Sequence, residues 1–521
     1  MTKRVAPRCA TAVGALTAVL VACGGRSSLE SYPGNSLAGD VAGGTTGGFR
    51  HNSFGGSGGA GVAGTFGTIT AGMTAGGMAV GGMPIGGMAI GGMSTAGMAG
   101  AGSDQCQLST TDCYTADEPE CAGVRVKCQG RVLSHGLVWS TNQARVSALA
   151  TAVDGRVALV GSFLGLLNVD NETLPAVSDG YDGFALVFDS EQNLVWSHFF
   201  GGSGADSVTG VDFAPGGDVL VQGADDTTGS AFVTRLDQQG KAVWTYPLGK
   251  ADVKPGQIGV DNDGDITLVG GFKDEIEYRG NVQGAPGEGS YVIRLDGEGN
   301  MLWGYTGAPP SWKSAAASRL VVDDEDNLVV LGRGAMADGA PAGYVEKVSS
   351  VGASLFVREL VASKYLDAGG LAVDRKMQIA IGGVFRGDLK LGDLSSSSQG
   401  QVTSDLWLAK LGREGGWEWL NKFAGRSDGM SKVSSIATDP PGNIVMGSSD
   451  SDQVVVSKSR DDGVVVWRQA FAATTPSDVQ LAGDNAGNMW LAANFTKSFD
   501  YGADVVEPQG NRAVILLKLS R

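Results

Sequence analysis

From Gly136 onward, the chain alternates short β-branched apolar runs with turns rich in Gly, Asp and Asn. Such runs are typical of β-strands, and no apolar stripe of helical period and length interrupts them. One phrase recurs, in which an apolar run ends in Asp, a Gly-containing turn follows, and a second run reaches Trp. Thr234–Trp244 and Ile293–Trp303 are two examples. The pattern predicts an all-β fold built from repeated units.

The aromatic residue that closes this phrase marks the period of the repeat. It occurs at Trp139, Trp196, Trp244, Trp303, Phe356, Trp419 and Trp467, with gaps of 57, 48, 59, 53, 63 and 48 residues. Each gap holds three further apolar runs in the same order, so each unit contains four short strands. Four antiparallel strands per unit, repeated seven times, predict a seven-bladed β-propeller over residues 136–521.

The two ends of the repeat region are complementary. Ala513–Leu519 has the position of a third strand, and no Trp-bearing strand comes after it. Leu137–Trp139 is a fourth strand with no unit before it. We expect these two segments to pair and so complete the last blade from both sides, because the pairing would remove an open sheet edge.

Two of the units carry a family resemblance. Phe200–Gly223 and Phe423–Gly447 resemble one unit of the bacterial β-propeller repeat (SBBP-like) family of cell-surface proteins, and the resemblance covers Gly136–Arg521. It implies a fold and a surface location but no chemistry. The Asp–Gly–Trp phrase is also similar to quinone-cofactor propellers and to the lipoprotein scaffold that helps insert outer-membrane barrels. That scaffold has eight blades, whereas seven are counted here.

Residues 1–22 are typical of an export signal. Lys3, Arg4 and Arg8 precede the apolar run Ala10–Val21, which is shorter than the roughly 20 residues that a membrane-spanning helix needs. The run ends at Cys23 in a sequence that resembles the bacterial lipobox. This predicts that Cys23 becomes the lipid-bearing first residue of a protein held on the outer membrane or cell surface. Ordinary secretion is the alternative.

Residues 23–105 are rich in Gly, Ser, Ala and Thr, and they offer too little apolar surface to form a core. The segment is therefore predicted to be a disordered tether. Methionine recurs there at every fifth position: Met73, Met78, Met83, Met88, Met93 and Met98. Thioethers can bind copper(I). We favour a spacer, because neither Cys nor His lies within the methionine repeat.

Residues 106–135 contain four cysteines. Cys106, Cys113, Cys121 and Cys128 are separated by 7, 8 and 7 residues. Because no C-x-x-C pair occurs, the spacing does not match a zinc ribbon. In an exported protein these cysteines are expected to form two disulfides, for which three connectivities are possible. The predicted segment is a disulfide-stapled collar.

Charge and residue inventory exclude several functions. A net charge of −16 argues against nucleic acid as a partner. Of the three histidines, only His198 lies within the predicted blades, and none of the cysteines does. Cys–His catalysis is thereby excluded, and a Ser–His triad would depend on His198 alone. We therefore predict no catalytic residue, no cofactor, and a protein that is not an enzyme, with paired-carboxylate hydrolysis as the alternative.

One set of carboxylates is the candidate binding site. An aspartate recurs just before the first strand of four units: Asp206, Asp367, Asp428 and Asp478. First strands line the central channel of a propeller, so these side chains could converge at its mouth and bind a cation or a basic ligand. The alternative is that each carboxylate accepts hydrogen bonds from its own loop.

Two further motifs are better explained by structure than by ligands. Asp261, Asp263 and Asp265 suggest a calcium loop, but aligned units have similar Asp-, Asn- and Gly-rich segments at this position, which predicts a tight turn and no metal. Four aromatic residues could stack on sugar rings but are expected to pack between blades. They are Tyr305, Trp312, Trp417 and Trp419.

Together these features predict a monomeric, lipid-anchored propeller of the cell envelope. It would present a non-catalytic binding surface to a protein or polysaccharide partner. The alternatives are a carboxylate-based glycosidase or lyase on the same scaffold, and an outer-membrane assembly scaffold.

Overall fold

The computed structural model describes residues 130–521, except 170–171, 176–177, 203, 250–251, 308–311, 400–402, 427–430 and 509. The predicted export signal, tether and stapled cysteines, including Cys23, lie outside the described residues. Throughout the described part the regular structure is β, with no helix, and all the strand pairs are antiparallel. A search of the same residues for a membrane-spanning helix finds none.

The described strands form six sheets of four, six or eight strands. In chain order we number seven consecutive units, each with four main strands, and units 2 and 3 share the eight-stranded sheet. Strand β1 (Val132–Ser140) precedes unit 1. Unit 1 contains β2 (Gln143–Thr151), β3 (Val157–Leu164), the short hairpin of β4 (Leu167–Val169) and β5 (Glu172–Leu174), β6 (Tyr181–Phe188) and β7 (Leu194–Phe200). Unit 2 contains β8 (Asp206–Phe213), β9 (Val219–Asp225), β10 (Ser230–Leu236) and β11 (Ala242–Leu248). Unit 3 contains β12 (Lys254–Val260), β13 (Ile266–Tyr278), β14 (Asn281–Leu295) and β15 (Met301–Gly307).

The remaining units follow the same order. Unit 4 contains β16 (Trp312–Val322), β17 (Leu328–Met336), β18 (Pro341–Val348) and β19 (Ser354–Ala362). Unit 5 contains β20 (Tyr365–Val373), β21 (Ile379–Arg386), the hairpin of β22 (Asp388–Leu391) and β23 (Leu394–Ser397), β24 (Asp405–Leu411) and β25 (Trp417–Phe423). Unit 6 contains β26 (Lys432–Thr438), β27 (Ile444–Ser449), β28 (Gln453–Ser459) and β29 (Val465–Ala473). Unit 7 contains β30 (Ser477–Gly483), β31 (Met489–Phe495), the hairpin of β32 (Phe499–Asp500) and β33 (Val505–Val506), and β34 (Ala513–Leu519).

Unit 7 is completed from the other end of the described chain. Strand β1 pairs antiparallel with β34, with Trp139 opposite Ala513, so the pairing predicted from the sequence is present. Trp467, on the outer strand of unit 6, packs against Gly130, where a Cβ atom would lie 3.0 Å from its ring. Trp196 packs in the same way against Gly240 of the next unit. Unit 7, which is completed by β1, therefore packs against unit 6 in the same way as unit 2 packs against unit 1.

Inserted hairpins link some units to the one before. The β4–β5 hairpin pairs with β1, β22 pairs with β19, and β32 pairs with β29. Unit 3 reaches back through its long second and third strands, where Tyr278 pairs with Leu248. The additional residues explain why the gaps of 57, 59 and 63 residues, which contain units 1, 3 and 5, exceed the others.

The first strands of all seven units converge on one cavity, which is lined by residues from β2, β8, β12, β16, β20, β26 and β30. Second and third strands are buried nearly throughout, as in β3, β21 and β31, because neighbouring units cover both of their faces. First strands alternate between buried and partly exposed residues, as in β2. The fold is all-β and propeller-like, with a central channel walled by first strands.

Candidate functional site

Three cavities follow one another along the first strands. The cavity at the strand starts, here called the basic mouth, has a volume of about 500 Å³. The next, the lower channel, has about 340 Å³. Beyond the strand ends lies the acidic mouth, of about 140 Å³. Arg319, Gln257 and Gln480 line both of the first two cavities, so these share a wall.

Cations dominate the basic mouth. Five cations and two carboxylates line it, which leaves three positive charges unmatched. The carboxylates are Asp367 and Asp478, and the cations are Arg145, Lys254, Arg319, Arg333 and Lys432. Arg145, Lys254, Arg333 and Lys432 are exposed, whereas Arg319 is half-buried. In a chain of net charge −16, the residues that line this cavity thus carry a net positive charge.

Both carboxylates of the basic mouth are paired with cations. Arg333 Nη1 lies 3.4 Å from Asp367 Oδ1, and Lys432 Nζ lies 2.9 Å from Asp478 Oδ1. Burial opposes ionisation of Asp478, but the Lys432 ammonium and the hydrogen bonds from Ser477 and Asn494 hold its pKa below the usual value. The mouth therefore does not present free carboxylates to a cation.

Asp478 also has an uncommon backbone conformation. Its φ is +50°, in the left-handed region that Asp tolerates better than most residues. Asn494 Nδ2 donates to Asp478 Oδ2 at 3.0 Å, and Asn494 Oδ1 accepts from the Val146 amide at 2.8 Å. Asn494 thus ties the carboxylate of unit 7 to the first strand of unit 1.

Arg319 occupies the boundary between the basic mouth and the lower channel. Its Nε donates to the Gly369 carbonyl at 2.9 Å, and its Nη2 donates to the Ser434 carbonyl at 2.8 Å. These carbonyls belong to units 5 and 6, so one side chain from unit 4 reaches two further first strands. Burial lowers the pKa of Arg319, and the Asp367 carboxylate acts in the opposite direction. The guanidinium remains charged near neutral pH.

The lower channel contains one carboxyl group that titrates near neutrality. Asp212 accepts hydrogen bonds from the Val260 amide at 2.9 Å and from the Phe213 amide at 2.9 Å. Burial nevertheless raises its pKa to about 6. Leu149, Val211, Ile258 and other apolar residues of the first strands surround it, which explains why desolvation outweighs the two hydrogen bonds.

The acidic mouth has carboxylates of a different kind, which occupy the turn between first and second strands. Asp323, Asp374, Asp439 and Asp484 all line it. In units 3 to 7 the turn aspartate also meets a cation on the third strand. The pairs are Asp261 with Arg294, Asp323 with Lys347, Asp374 with Lys410, Asp439 with Lys458, and Asp484 with Lys518.

The structure separates the four predicted site residues. Asp367 and Asp478 line the basic mouth together. Asp206 lies in another pocket, beside Phe200, Asp225 and Phe232. There, burial and the neighbouring Asp225 carboxylate raise the pKa of Asp206. Asp206 lies opposite Asp225 in the β8–β9 ladder and does not line the basic mouth. Asp428 lies outside the described residues.

The Asp261 motif is a turn, as the recurrence at one repeat position indicates. Asp261 Oδ1 accepts from the amides of Asp263 and Asp265 at 3.0 and 2.8 Å. The described residues contain no group of three or more His, Cys, Asp or Glu side chains that could hold a metal ion.

Three of the four aromatic candidates donate a hydrogen bond to a protein group, and the fourth, Trp417, packs against a hydrophobic core cluster. Trp419 Nε1 donates to the Asp461 carbonyl of the next unit at 3.1 Å. Tyr305 donates to Glu346 at 3.1 Å and Trp312 to Glu359 at 3.2 Å. Trp417 lines a separate surface cavity with Gly392. His198 is on an outer strand, where its Nδ1 lies 2.8 Å from the Gly240 carbonyl oxygen.

Sequence reasoning missed Arg319 and Asp212. A signal for Arg319 exists: it is the one charged residue between Ala315-Ala-Ala-Ser318 and Leu320-Val-Val322. A charge inside an apolar strand that lines a channel points toward the solvent of that channel. Asp212 has the same signal, since it stands between Val211 and Phe213.

No protein-family model matches the sequence, and no curated protein matches it. Several solved structures, in contrast, do match the chain. Sqt1 from Chaetomium thermophilum matches with 12% identity and a TM-score of 0.41, over 75% of this chain and 99% of that one. A gluconolactonase from Xanthomonas campestris has 12% identity and a TM-score of 0.30, over 75% and 91%. A luciferin-regenerating enzyme has 12% identity and a TM-score of 0.31, over 57% and 89%. The similarity concerns the fold alone.

These structures correct one prediction. The residue inventory predicts that the chain is not an enzyme, because it contains no convincing catalytic constellation. Two of the similar solved structures are enzymes by their descriptions, a gluconolactonase and a luciferin-regenerating enzyme. The prediction that the chain is not an enzyme is therefore contradicted, and it is withdrawn.

Proposed function

We propose that the seven four-stranded units are seven blades of one closed propeller, and that its basic mouth binds an anionic carbohydrate. For the ring, the support is that all seven first strands line one cavity and that β1 completes unit 7. The ligand assignment rests on a single observation: five cations against two carboxylates in one cavity of an acidic protein. A volume of about 500 Å³ is within the range of small-molecule sites.

Hydroxyl and amide groups favour a carbohydrate over other anions. Five hydroxyl side chains and two amide side chains line the mouth beside the cations: Ser147, Ser162, Thr209, Ser318, Ser434, Gln257 and Gln480. Such groups both donate and accept hydrogen bonds, as sugar hydroxyls do. The exposed cations at the rim would attract the ligand and the polar wall would orient it.

The predicted location agrees with such a ligand. We propose that the chain is exported, lipid-anchored at Cys23 and held on the outer membrane or cell surface by a Gly- and Met-rich tether, with residues 106–135 stapled by disulfides. A polysaccharide of the envelope or of the surroundings would be accessible there. Nucleic acid is not a proposed partner, because the overall charge is −16.

The test is calorimetric titration of the purified full chain with oligogalacturonate and with an uncharged oligosaccharide of equal length. The double variant Arg145→Ser, Lys254→Ser should weaken oligogalacturonate binding about five- to tenfold at low salt. The matched control is Arg375→Ser, which removes an exposed cation from the acidic mouth and should leave affinity unchanged. Equal affinity for the two oligosaccharides, or equal loss in both variants, would reject the site.

Asp212 favours a second candidate function, a carboxylate-based glycosidase or lyase in the same channel. Its pKa of about 6 suits a group that accepts or donates a proton near neutral pH. The test is incubation of the anionic oligosaccharide with the wild type and with Asp212→Asn, with chromatographic detection of shortened products. Product formation by the wild type that Asp212→Asn abolishes, while binding persists, would support catalysis. Absence of products from the wild type would remove this candidate.

A further inference from the structure

Arg319 differs from the other cations of the basic mouth in how it is held. Arg333 and Lys432 are exposed and paired with carboxylates. Arg319 is half-buried, and it donates hydrogen bonds to two carbonyl oxygens, which do not neutralise its charge. Deep in the mouth, its guanidinium therefore brings a positive charge whose hydrogen-bond partners in the described residues are uncharged.

The geometry of a guanidinium determines what this arrangement can bind. Nε and one N–H of Nη2 lie on one edge of the planar group, and this edge is used by the Gly369 and Ser434 carbonyls. The end edge, formed by Nη1 and the second N–H of Nη2, is not used by these two bonds. Two parallel N–H groups on one edge match the two oxygens of a carboxylate.

The two carbonyls also determine the orientation of the fork. Because Gly369 and Ser434 come from different units, the guanidinium plane is fixed by the scaffold rather than by a mobile loop. A pre-oriented donor pair loses little conformational entropy when a ligand binds. Glycine at position 369 also lets β20 and β26 approach closely, because a Cβ atom there would lie 2.0 Å from the Val433 carbonyl oxygen.

Charge balance favours a monoanionic group over a dianionic one. Arg333 and Lys432 are already matched by Asp367 and Asp478, and Arg145 and Lys254 lie exposed at the rim. Of the three unmatched positive charges of the mouth, Arg319 supplies the one at this depth. This equals the charge of one carboxylate, and Asp367 and Asp478 already act on it. A phosphate dianion would bring an excess negative charge close to Asp367 and Asp478.

We propose that Arg319 is the specificity-determining residue of the basic mouth, and that it selects a sugar carboxylate, as in a uronic acid, by a two-oxygen contact. This inference rests on the proposed function, since it assigns one residue and one chemical group within that site. The sugar ring would remain on the mouth side of Arg319, against the hydroxyl-rich wall, because the guanidinium separates the two cavities.

The first experiment uses the unaltered protein and four probes: D-glucuronate, its methyl ester, glucose 6-phosphate and glucose. The carboxylate should bind at least tenfold more tightly than the ester and glucose, since a charge-assisted pair of hydrogen bonds is lost in both. It should also bind more tightly than the phosphate. Equal or tighter binding of the phosphate would overturn the selection of carboxylate.

The second experiment alters Arg319. Arg319→Lys keeps the charge but not the fork, and it should reduce glucuronate affinity at least tenfold while the affinity for the methyl ester stays unchanged. In Arg319→Ala, added guanidinium ion should restore glucuronate binding and methylammonium should not. Arg375→Lys, at the acidic mouth, is the matched control.

The outcomes separate this inference from the proposed function. If the wild type binds oligogalacturonate and Arg319→Lys binds glucuronate as the wild type does, the role of Arg319 is refuted and the anion site stands. If the wild type distinguishes no anionic sugar from its neutral counterpart, the proposed function itself fails. Should Arg319→Ala not fold, the ester comparison on the wild type and the lysine variant still decide the matter.

Discussion

The two ends of the channel carry the same residue type in opposite roles. At the basic mouth, Asp367 and Asp478 lie at strand starts, and each pairs with an exposed cation. At the acidic mouth, Asp323 and its counterparts accept hydrogen bonds from their own turns and meet a third-strand cation. The side chains of Asp323 and Lys347 are 0% and 4% exposed, whereas that of Arg333 is 64% exposed.

The comparison teaches that position along the strand, and not the carboxylate itself, decides between structure and recognition. Units that lack the turn aspartate can be compared with those that have it. Unit 1 has Ala152 where units 3 to 7 have the turn aspartate, and Val187 where they have the third-strand cation. Both members of the pair are thus absent in unit 1. Unit 2 has Ala214 at the turn position but keeps a third-strand cation, Arg235, which pairs with Asp218 instead. In each unit that has it, the third-strand cation therefore keeps a carboxylate partner.

The largest expected effect concerns the acidic mouth. Lys347→Met should lower the free energy of unfolding by about 3 kcal/mol, because it leaves the buried Asp323 carboxylate without its partner. The double variant Asp323→Ala, Lys347→Val, which copies unit 1, should recover most of this loss. Urea denaturation measures both. If Lys347→Met lowered the free energy of unfolding by less than about 1 kcal/mol, the Asp323 carboxylate would be solvated by water and would not depend on Lys347.

A smaller effect concerns Asp212, between the two mouths. Its pKa is raised from 3.8 to about 6 in the folded chain, so the folded state holds this proton more tightly than the unfolded chain. The contribution to stability is therefore fully present below about pH 4 and is lost as the pH rises through about 6. We expect a loss of about 2 to 3 kcal/mol across this window, since one pKa unit corresponds to about 1.4 kcal/mol.

The measurement is thermal or urea unfolding of the wild type and of Asp212→Asn at a series of pH values. The asparagine variant should lose this part of the pH dependence while other carboxyl groups keep theirs. An unchanged slope between about pH 4 and 6 in the variant would assign the titration to another group.

The smallest effect on stability is expected at the basic mouth. Arg333→Ala removes an exposed cation that lies 3.4 Å from Asp367 and should change the free energy of unfolding by about 0.5 kcal/mol or less. Its effect on anion affinity should be larger in proportion and should decrease with added salt. If stability fell as much as in Lys347→Met, the two ends would not differ in the way described.

Much of the architecture was predictable from local pattern. The spacing of Trp139, Trp196 and their successors predicted four strands per unit, and the pairing of Leu137–Trp139 with Ala513–Leu519 is present in the structure. The unequal spacing of these aromatic residues also reflected the additional residues of units 1, 3 and 5. It could not show that β22 pairs with β19, because pairing between units depends on how neighbouring units are placed.

The candidate site was predictable only in part. Of the aspartates predicted to precede first strands, the three within the described residues lie at the starts of those strands. Asp206 lines a different pocket, whereas Asp367 and Asp478 line the basic mouth. Their cationic partners come from other strands, Arg333 from β17 and Lys432 from β26. Such partners are separated in sequence by 34 and 46 residues, and no local pattern links them.

By itself, the sequence determined the strands, the turns and the period of the repeat, because alternating burial and Gly- or Asp-containing turns are properties of a few neighbouring residues. Only the tertiary structure decided the sign of charge at each end of the channel. Arg319 reaches carbonyls of two other units, and the cations of the mouth come from several units. The potential at a point depends on all charges near it in space, which the order of residues along the chain does not specify.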